Sequence, residues 1–142
     1  MQLDPFGYII KRSQQAIRTA MDKRLVDIDL TAPQYAALSE LSKEQGLSNA
    51  ELARRCFVTP QTMHQLIVGL ESRGLIERSQ HPDHRRIQQV RTTKTGKQLL
   101  AKAHIFVNEI LETMMQDLSE AEIRQASEIL TKCYTALEVD SG

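Results

Sequence analysis

The segment from Ser48 to Gly96 constrains the fold more than any other part of this 142-residue chain. Ser48 and Glu51 have the spacing of a capping box, in which each side chain satisfies a free backbone N–H group at the start of a helix. The pattern therefore predicts a short helix after Ser48. Its predicted apolar positions are Leu52, Ala53 and Phe57.

A second helix is predicted to follow directly. Thr59 is a suitable N-cap, and Pro60 at the first helical position costs no hydrogen bond. Apolar residues with the i, i+3, i+4, i+7 spacing of a buried helix face are Met63, Leu66, Ile67 and Leu70. Polar residues off that stripe are Gln61, Thr62, His64 and Gln65. Gly74 is expected to end the helix in the left-handed conformation.

Two short strands are predicted after this helix, at residues 75–78 and 87–91. Between them, residues 81–86 read His-Pro-Asp-His-Arg-Arg, and Pro82 excludes a helix there. Two helices joined by a tight turn and followed by a β-hairpin form a winged helix-turn-helix. That fold places its second helix in a DNA major groove and its hairpin tip beside the DNA backbone.

The charges of the chain are unevenly distributed, although its net charge is zero. Residues 48–97 contain nine Lys and Arg but only four Asp and Glu. A locally basic module favours contact with phosphates, so double-stranded DNA is the expected partner. The residues predicted to contact it are Ser48, Thr59, Gln61, Thr62, His64, Gln65, Arg73, Arg78, His84, Arg85 and Arg86.

This segment resembles the MarR family of bacterial transcriptional regulators. The resemblance rests on residues 59–63 (Thr-Pro-Gln-Thr-Met), Leu70-Glu71, residues 74–78 (Gly-Leu-Ile-Glu-Arg), and Arg86, Val90, Thr93 and Gly96. The family's wing usually carries Asp-x-Arg before a strand valine, and counting back from Val90 puts His84 in the aspartate's place. The resemblance implies a two-fold dimer with interlocked terminal helices. It also implies a small, often phenolic, effector bound between the dimer and DNA-binding helices.

The flanking segments predict helices with broad apolar faces, from about Pro5 to Val26, Thr31 to Gln45, Thr93 onwards and Ser119 onwards. A domain of this size cannot cover such faces, so they are expected to pack against a second copy. The predicted dimer interface comprises Ile9, Ile17, Phe106, Ile110, Ile129, Leu130, Cys133 and Leu137. The prediction is one mainly α domain, residues 1–142. Its winged helix-turn-helix occupies residues 32–96, and its helical dimerisation region comprises residues 1–30 and 97–138.

The predicted function is a sequence-specific repressor of transcription. As a homodimer it would bind a pseudo-palindromic operator and be released by a small aromatic effector. Candidate pocket residues are Tyr35, Leu38 and Met63, each of which also fits plain core packing. A thiol switch at Cys56 or Cys133 is a competing trigger. The alternative function is a winged-helix protein-interaction or architectural module without a sequence-specific operator.

Other classes of function lack their motifs. The chain has no Gly-rich phosphate loop, no Gly-x-Ser-x-Gly, no His-Glu-x-x-His and no Cys-x-x-Cys, so an enzyme and a cofactor are not expected. His81, Asp83 and His84 are residue types that bind zinc, but their turn offers no fourth ligand. No apolar run approaches the ~20 residues that span a bilayer. Two well-separated cysteines and no cationic leader predict a cytoplasmic protein without a membrane partner.

Overall fold

The computed structural model describes residues 5–84 and 86–139. Within them, six α-helices accompany one two-stranded antiparallel sheet. The elements in chain order are α1 (Pro5–Leu25), α2 (Ala32–Lys43), α3 (Asn49–Arg55), α4 (Pro60–Ser72), β1 (Ile76–Gln80), β2 (Gln88–Thr92), α5 (Lys94–Met115) and α6 (Glu120–Glu138). The predicted class, mainly α with a winged helix-turn-helix, is confirmed. Among these residues, no helix is both long and apolar enough to cross a membrane.

Side-chain caps set the starts of α2, α3, α4 and α6. At α3 the Ser48 hydroxyl accepts from the Glu51 N–H at 3.2 Å, and the Glu51 carboxylate accepts from the Ser48 N–H at 3.2 Å. That backbone hydrogen bond is the main reason why the pKa of Glu51 is lowered. A second capping box begins α6 at Ser119 and Glu122, as the spacing predicts. Each cap contributes about 1 kcal/mol to stability.

The core lies in a compact unit formed by the described residues up to Asn108. The predicted stripe of α4 supplies Met63, Ile67 and Leu70, which are buried, and Leu66, which is half-buried. The same cluster contains Leu38 and Leu41 of α2, Leu52 of α3, Val90 of β2 and Leu100 of α5. Burying each large apolar side chain contributes ~1.5–3 kcal/mol. The orientation of α4 is therefore fixed by its buried face.

Phe57 departs from the sequence prediction. Leu52 and Ala53 are buried as expected, but Phe57 is 90% exposed. The reason is that α3 ends at Arg55, and Phe57 adopts a left-handed backbone with φ of 58°. In that conformation its side chain leaves the apolar face of the helix. A bulky residue in this region costs of order 1–3 kcal/mol, which is why glycine usually occupies it.

The wing is fastened to the loop between α2 and α3. The hairpin pairs Ile76 with Thr92 at its base and Gln80 with Gln88 near its tip. It begins one residue later than predicted because the Leu75 N–H still bonds the Leu70 carbonyl at 3.0 Å, closing the end of α4. Leu47 adds a bridge to Val90, with the Val90 N–H donating to the Leu47 carbonyl at 2.8 Å.

A second compact unit comprises the described residues from Glu109 onwards, the end of α5 and all of α6. None of the α6 residues is fully buried. Large apolar side chains remain exposed on α6, among them Ile129, Leu130, Tyr134 and Leu137. In the first unit, α1 leaves Phe6 and Ile9 similarly exposed. Each unit therefore has apolar surface that its own residues leave open to solvent.

Gly96 provides a test of the packing between α5 and the segment before β1. A Cβ atom at Gly96 would lie 2.1 Å from the Leu75 carbonyl oxygen and 2.7 Å from the Thr92 Cγ2. Gly96→Ala is therefore expected to lower the free energy of unfolding by about 3 kcal/mol, measured by urea denaturation.

Gly69 is the matched control, because its nearest neighbour to an added Cβ is 3.9 Å away. Gly69→Ala lies within α4 and should raise stability by about 0.5–1 kcal/mol. Equal effects of the two substitutions would contradict the packing described.

Candidate DNA interface

One face of α4 presents polar side chains to solvent. Gln61, Thr62, His64 and Gln65 are all exposed, on the side opposite the buried stripe. The side chains of Gln61, His64 and Gln65 form no hydrogen bond with any residue that the structure describes. Their donors and acceptors are thus available to an external partner. Amide, hydroxyl and imidazole groups on a helix are suited to the base edges of a major groove.

Ser48 and Thr59 serve as caps. The Thr59 hydroxyl accepts from the Thr62 N–H at 3.1 Å and donates to the Thr62 hydroxyl oxygen at 3.0 Å. The Ser48 hydroxyl accepts from the Glu51 N–H but retains its own proton for donation. Of these two predicted DNA contacts, Ser48 has the freer donor.

Asn49 joins the start of α3 to the start of α4. Its side-chain amide donates to the Pro60 carbonyl at 3.1 Å. Its Oδ1 atom is buried without a hydrogen-bond partner among the described residues. The sequence prediction does not include Asn49, because an asparagine at this helical position carries no signal of a contact eleven residues ahead.

Two of the predicted DNA-contacting arginines are engaged within the chain. Arg78 donates to both carboxylate oxygens of Glu71, with Nε at 3.2 Å from each and Nη2 at 2.7 Å from Oε1. This pairing lowers the pKa of Glu71 and raises the pKa of Arg78. Arg73 donates to the carbonyl of Asp29. Both contacts hold the end of α4 against neighbouring segments.

The tip of the wing exposes His84 and Arg86. Arg85, also predicted to contact DNA, lies outside the described residues. The His81 ring nitrogen Nδ1 accepts from the Asp83 N–H at 3.0 Å, so this nitrogen is occupied. Among residues 5–84 and 86–139, no group of three or more His, Cys, Asp and Glu is arranged to hold a metal ion.

A groove of about 500 Å³ separates the start of α3 from the wing. Ser48 and Asn49 line one side, and Arg86 and Gln88 line the other. The fold thus brings Ser48 and Arg86 to one groove although they are far apart in sequence. A hydroxyl donor and a guanidinium facing the same groove are suited to phosphate oxygens.

Tyr35 lies where α2 meets α5. Its hydroxyl is 2.8 Å from Nδ1 of His104, and the two rings meet edge-on with centroids 5.5 Å apart. Burial raises the pKa of Tyr35. Leu38 and Met63, the other predicted pocket residues, are fully enclosed in the core, so their side chains do not face an open cavity. Of the three predicted pocket residues, only Tyr35 is partly exposed, and it pairs with His104, which the sequence prediction does not include.

The geometry defines a class of protein. A helix-turn-helix whose second helix presents unpaired polar groups, followed by a basic hairpin, is the architecture of winged-helix DNA-binding regulators of transcription.

The chain belongs to the MarR family. The family's sequence profile matches residues 28–87. The HTH-type transcriptional repressor Rv2887 of Mycobacterium tuberculosis is 30% identical over 128 residues, which are 90% of this chain and 92% of that protein. The predicted family is thus confirmed, and it is a family of transcriptional regulators rather than enzymes.

Solved structures have the same fold. The structure of Rv2887 in complex with salicylic acid is 30% identical, with a TM-score of 0.74 over 93% of this chain and 98% of that chain. A mutant MarR of Escherichia coli, complexed with operator DNA, gives a TM-score of 0.85 at 22% identity, over 93% of this chain and 95% of that one.

Cys56 generates a prediction about thiol chemistry. Burial, reinforced by the charge of Glu40, raises the pKa of the Cys56 thiol from its ordinary 9.0 to about 11. At a given pH, Cys56 should hold on the order of a hundredfold less thiolate than an unfolded cysteine. A more basic thiolate is also more nucleophilic, and this offsets about a factor of ten of that loss. In a Cys133→Ser background, iodoacetamide should therefore alkylate Cys56 about tenfold more slowly in the folded chain than in urea.

The raised pKa of Cys56 also makes the free energy of unfolding depend on pH. Since the raised pKa favours the protonated thiol in the folded state, Cys56 loses its contribution to stability as the pH rises from 9 towards 11. Cys56→Ala should make unfolding less sensitive to pH in that window. Alkylation of the folded chain as fast as in urea would refute the raised pKa.

Proposed function

We propose that this chain is a homodimeric repressor that binds a pseudo-palindromic operator and is released by a small effector. One observation carries the DNA-binding part, namely the row of exposed side chains on α4 without partners in the described chain. Buried positions of the same helix fix its direction, so those side chains are presented as a set. The repressor Rv2887 supports the assignment, as a relative of similar length.

The DNA-binding residues divide into two groups in this proposal. Gln61, Thr62, His64 and Gln65 read base edges in the major groove. Ser48, His84, Arg85 and Arg86 contact phosphates or the minor groove and set the register. The ends of α4 are held by Thr59, Arg73 and Arg78. In this proposal the same three residues also contact phosphates.

Dimerisation uses the terminal helices in this proposal, residues 1–30 and 97–138. Exposed apolar side chains in both compact units support it, because soluble monomers rarely leave large apolar patches uncovered. A two-fold dimer requires two half-sites about one helical turn of DNA apart, ~34–36 Å. In this proposal the bound dimer represses by blocking access of polymerase to the promoter.

The effector is a small aromatic molecule in this proposal, consistent with the complex of Rv2887 and salicylic acid. A ligand releases DNA only if it favours one spacing of the two wings over another. Tyr35 and His104 offer a phenol and an imidazole at the junction of α2 and α5. Both cysteines are free thiols, which fits a cytoplasmic location.

Arg86→Ala tests the DNA assignment. It should weaken binding to all duplexes and flatten the slope of log affinity against log salt by about one unit per lost phosphate contact, hence about two per dimer. Gln65→Ala should instead cost ~1–3 kcal/mol at one base pair per half-site. Fluorescence anisotropy with operator and scrambled duplexes measures both effects.

The control for these variants is Arg12→Ala, which removes an exposed arginine from α1. It should leave the salt slope unchanged. Sequence-independent binding by the wild-type protein would favour the architectural alternative. An unchanged salt slope for Arg86→Ala would show that the wing does not contact DNA.

Leu130→Glu tests the dimer. A carboxylate in place of an exposed apolar side chain of α6 should yield monomers and abolish operator binding together, because one half-site alone binds weakly. Sedimentation velocity at micromolar concentration measures the assembly. Gln125→Glu adds the same charge at an exposed polar position of α6 and should leave the dimer intact. A stable wild-type monomer would disprove dimerisation.

A further inference from the structure

The first turn of α4 lies outside the apolar packing that holds the rest of the helix. The buried stripe begins only at Met63, and Pro60, Gln61 and Thr62 before it are exposed. The side chain of Thr59 bonds only to Thr62, so this cap ties the turn to itself. Core packing therefore fixes the rotation of α4, whereas the place of its first turn beside α3 depends on polar contacts.

A single hydrogen bond joins this turn to another helix. The side-chain amide of Asn49, the first residue of α3, donates to the Pro60 carbonyl at 3.1 Å. Within residues 5–84 and 86–139, no other hydrogen bond connects residues 59–62 to a different helix or strand. In an α-helix the Pro60 carbonyl also accepts from the N–H four residues ahead, that of His64. Its two lone pairs can serve both donors.

Stability alone does not account for an asparagine at this position. Asn49 has its Oδ1 atom buried without a partner among the described residues. A buried acceptor left in this state costs at least as much stability as one ordinary hydrogen bond returns. Asparagine is also a poorer helix former than alanine. The contact with Pro60 therefore adds little to the free energy of unfolding, and its effect is on the position of α4.

Asn49 lies between two parts of the candidate DNA interface. Its neighbour Ser48 lines the same groove and contacts phosphate in the proposed function. On the other side, Pro60 is followed directly by Gln61 and Thr62, which read base edges in that proposal. The contact between Asn49 and Pro60 thus joins a phosphate-contacting helix start to a base-reading turn.

We propose that Asn49 is a positioning residue for DNA recognition, whose amide fixes the first turn of α4 against the start of α3. The inference rests on the proposed function, since it concerns how that interface discriminates between sequences. Asn49 acts through the Pro60 carbonyl and does not itself contact a base. Without its amide, Gln61 and Thr62 are held less precisely, and discrimination falls because a loosely supported site recognises its partner poorly.

The first test compares a duplex that the wild-type protein selects from a random-sequence pool with a scrambled duplex, by fluorescence anisotropy. Asn49→Ala should reduce the ratio of the two affinities about tenfold, the scale of one lost hydrogen bond. Affinity for the scrambled duplex and the melting temperature should change little. Ser72→Ala is the control, because the Ser72 hydroxyl donates to the Gly69 carbonyl at 2.8 Å within α4 itself. It should leave the ratio unchanged.

A double-mutant comparison separates positioning from direct contact. If Asn49 acts through Gln61 and Thr62, Asn49→Ala should have no further effect on the ratio in a chain that already carries Gln61→Ala and Thr62→Ala. An undiminished loss in that background would overturn the proposal in favour of a direct contact between Asn49 and a base. Equal losses on the selected and scrambled duplexes would overturn it in favour of a role in folding or in phosphate contact.

Hydrogen exchange of the full chain without DNA tests the contact itself. In Asn49→Ala the His64 amide, which bonds the Pro60 carbonyl, should exchange about tenfold faster, while the Leu70 amide should be unaffected. Unchanged exchange at His64 would overturn the proposal whatever happens to DNA binding. A wild-type chain that prefers no duplex would instead refute the proposed function, and the role in recognition with it. Exchange at His64 would still show whether Asn49 holds the turn.

Discussion

The burial of one face of α4 determines most of what this protein can do. Met63, Ile67 and Leu70 enter a core that also receives α2, α3, β2 and α5. Because a helix has only one rotation that buries those three residues, Gln61, His64 and Gln65 must face outward. The polar face is thus a consequence of packing, and its side chains need no further contacts to hold their direction. Substitutions on that face should alter recognition at little cost to the fold.

Local signals explain how much of the fold is predictable from the sequence. The capping residues Ser48, Thr59 and Ser119 act within four residues, so their spacing alone locates the helix starts. The prediction that Phe57 is an apolar position of α3 is wrong, because periodicity does not reveal where a short helix stops. The partners of Arg73 and Tyr35 could not be read from the sequence. Asp29 is 44 residues from Arg73, and His104 is 69 residues from Tyr35.

The two ends of α4 are restrained by different interactions. Asn49 holds the first turn through the Pro60 carbonyl. At the other end, Arg78 binds Glu71 and Arg73 reaches Asp29, in the segment that links α1 to α2. Arg73 therefore connects the end of α4 to the segment that follows α1. Both ends of α4 are thus tied to neighbouring segments by polar contacts, in addition to its buried face.

The attachment of the wing has a consequence for how such a regulator diversifies. Leu47 bridges Val90, and Gln45 bonds the Thr92 N–H at 2.9 Å, so the base of the hairpin belongs to the rigid scaffold. The stretch between Gln80 and Gln88 lies beyond those supports. Mutation can therefore exchange residues there, and on the outer face of α4, while the scaffold stays the same. After duplication of such a gene, each substitution at these positions can change the operator that one copy binds. Every variant along the way still folds.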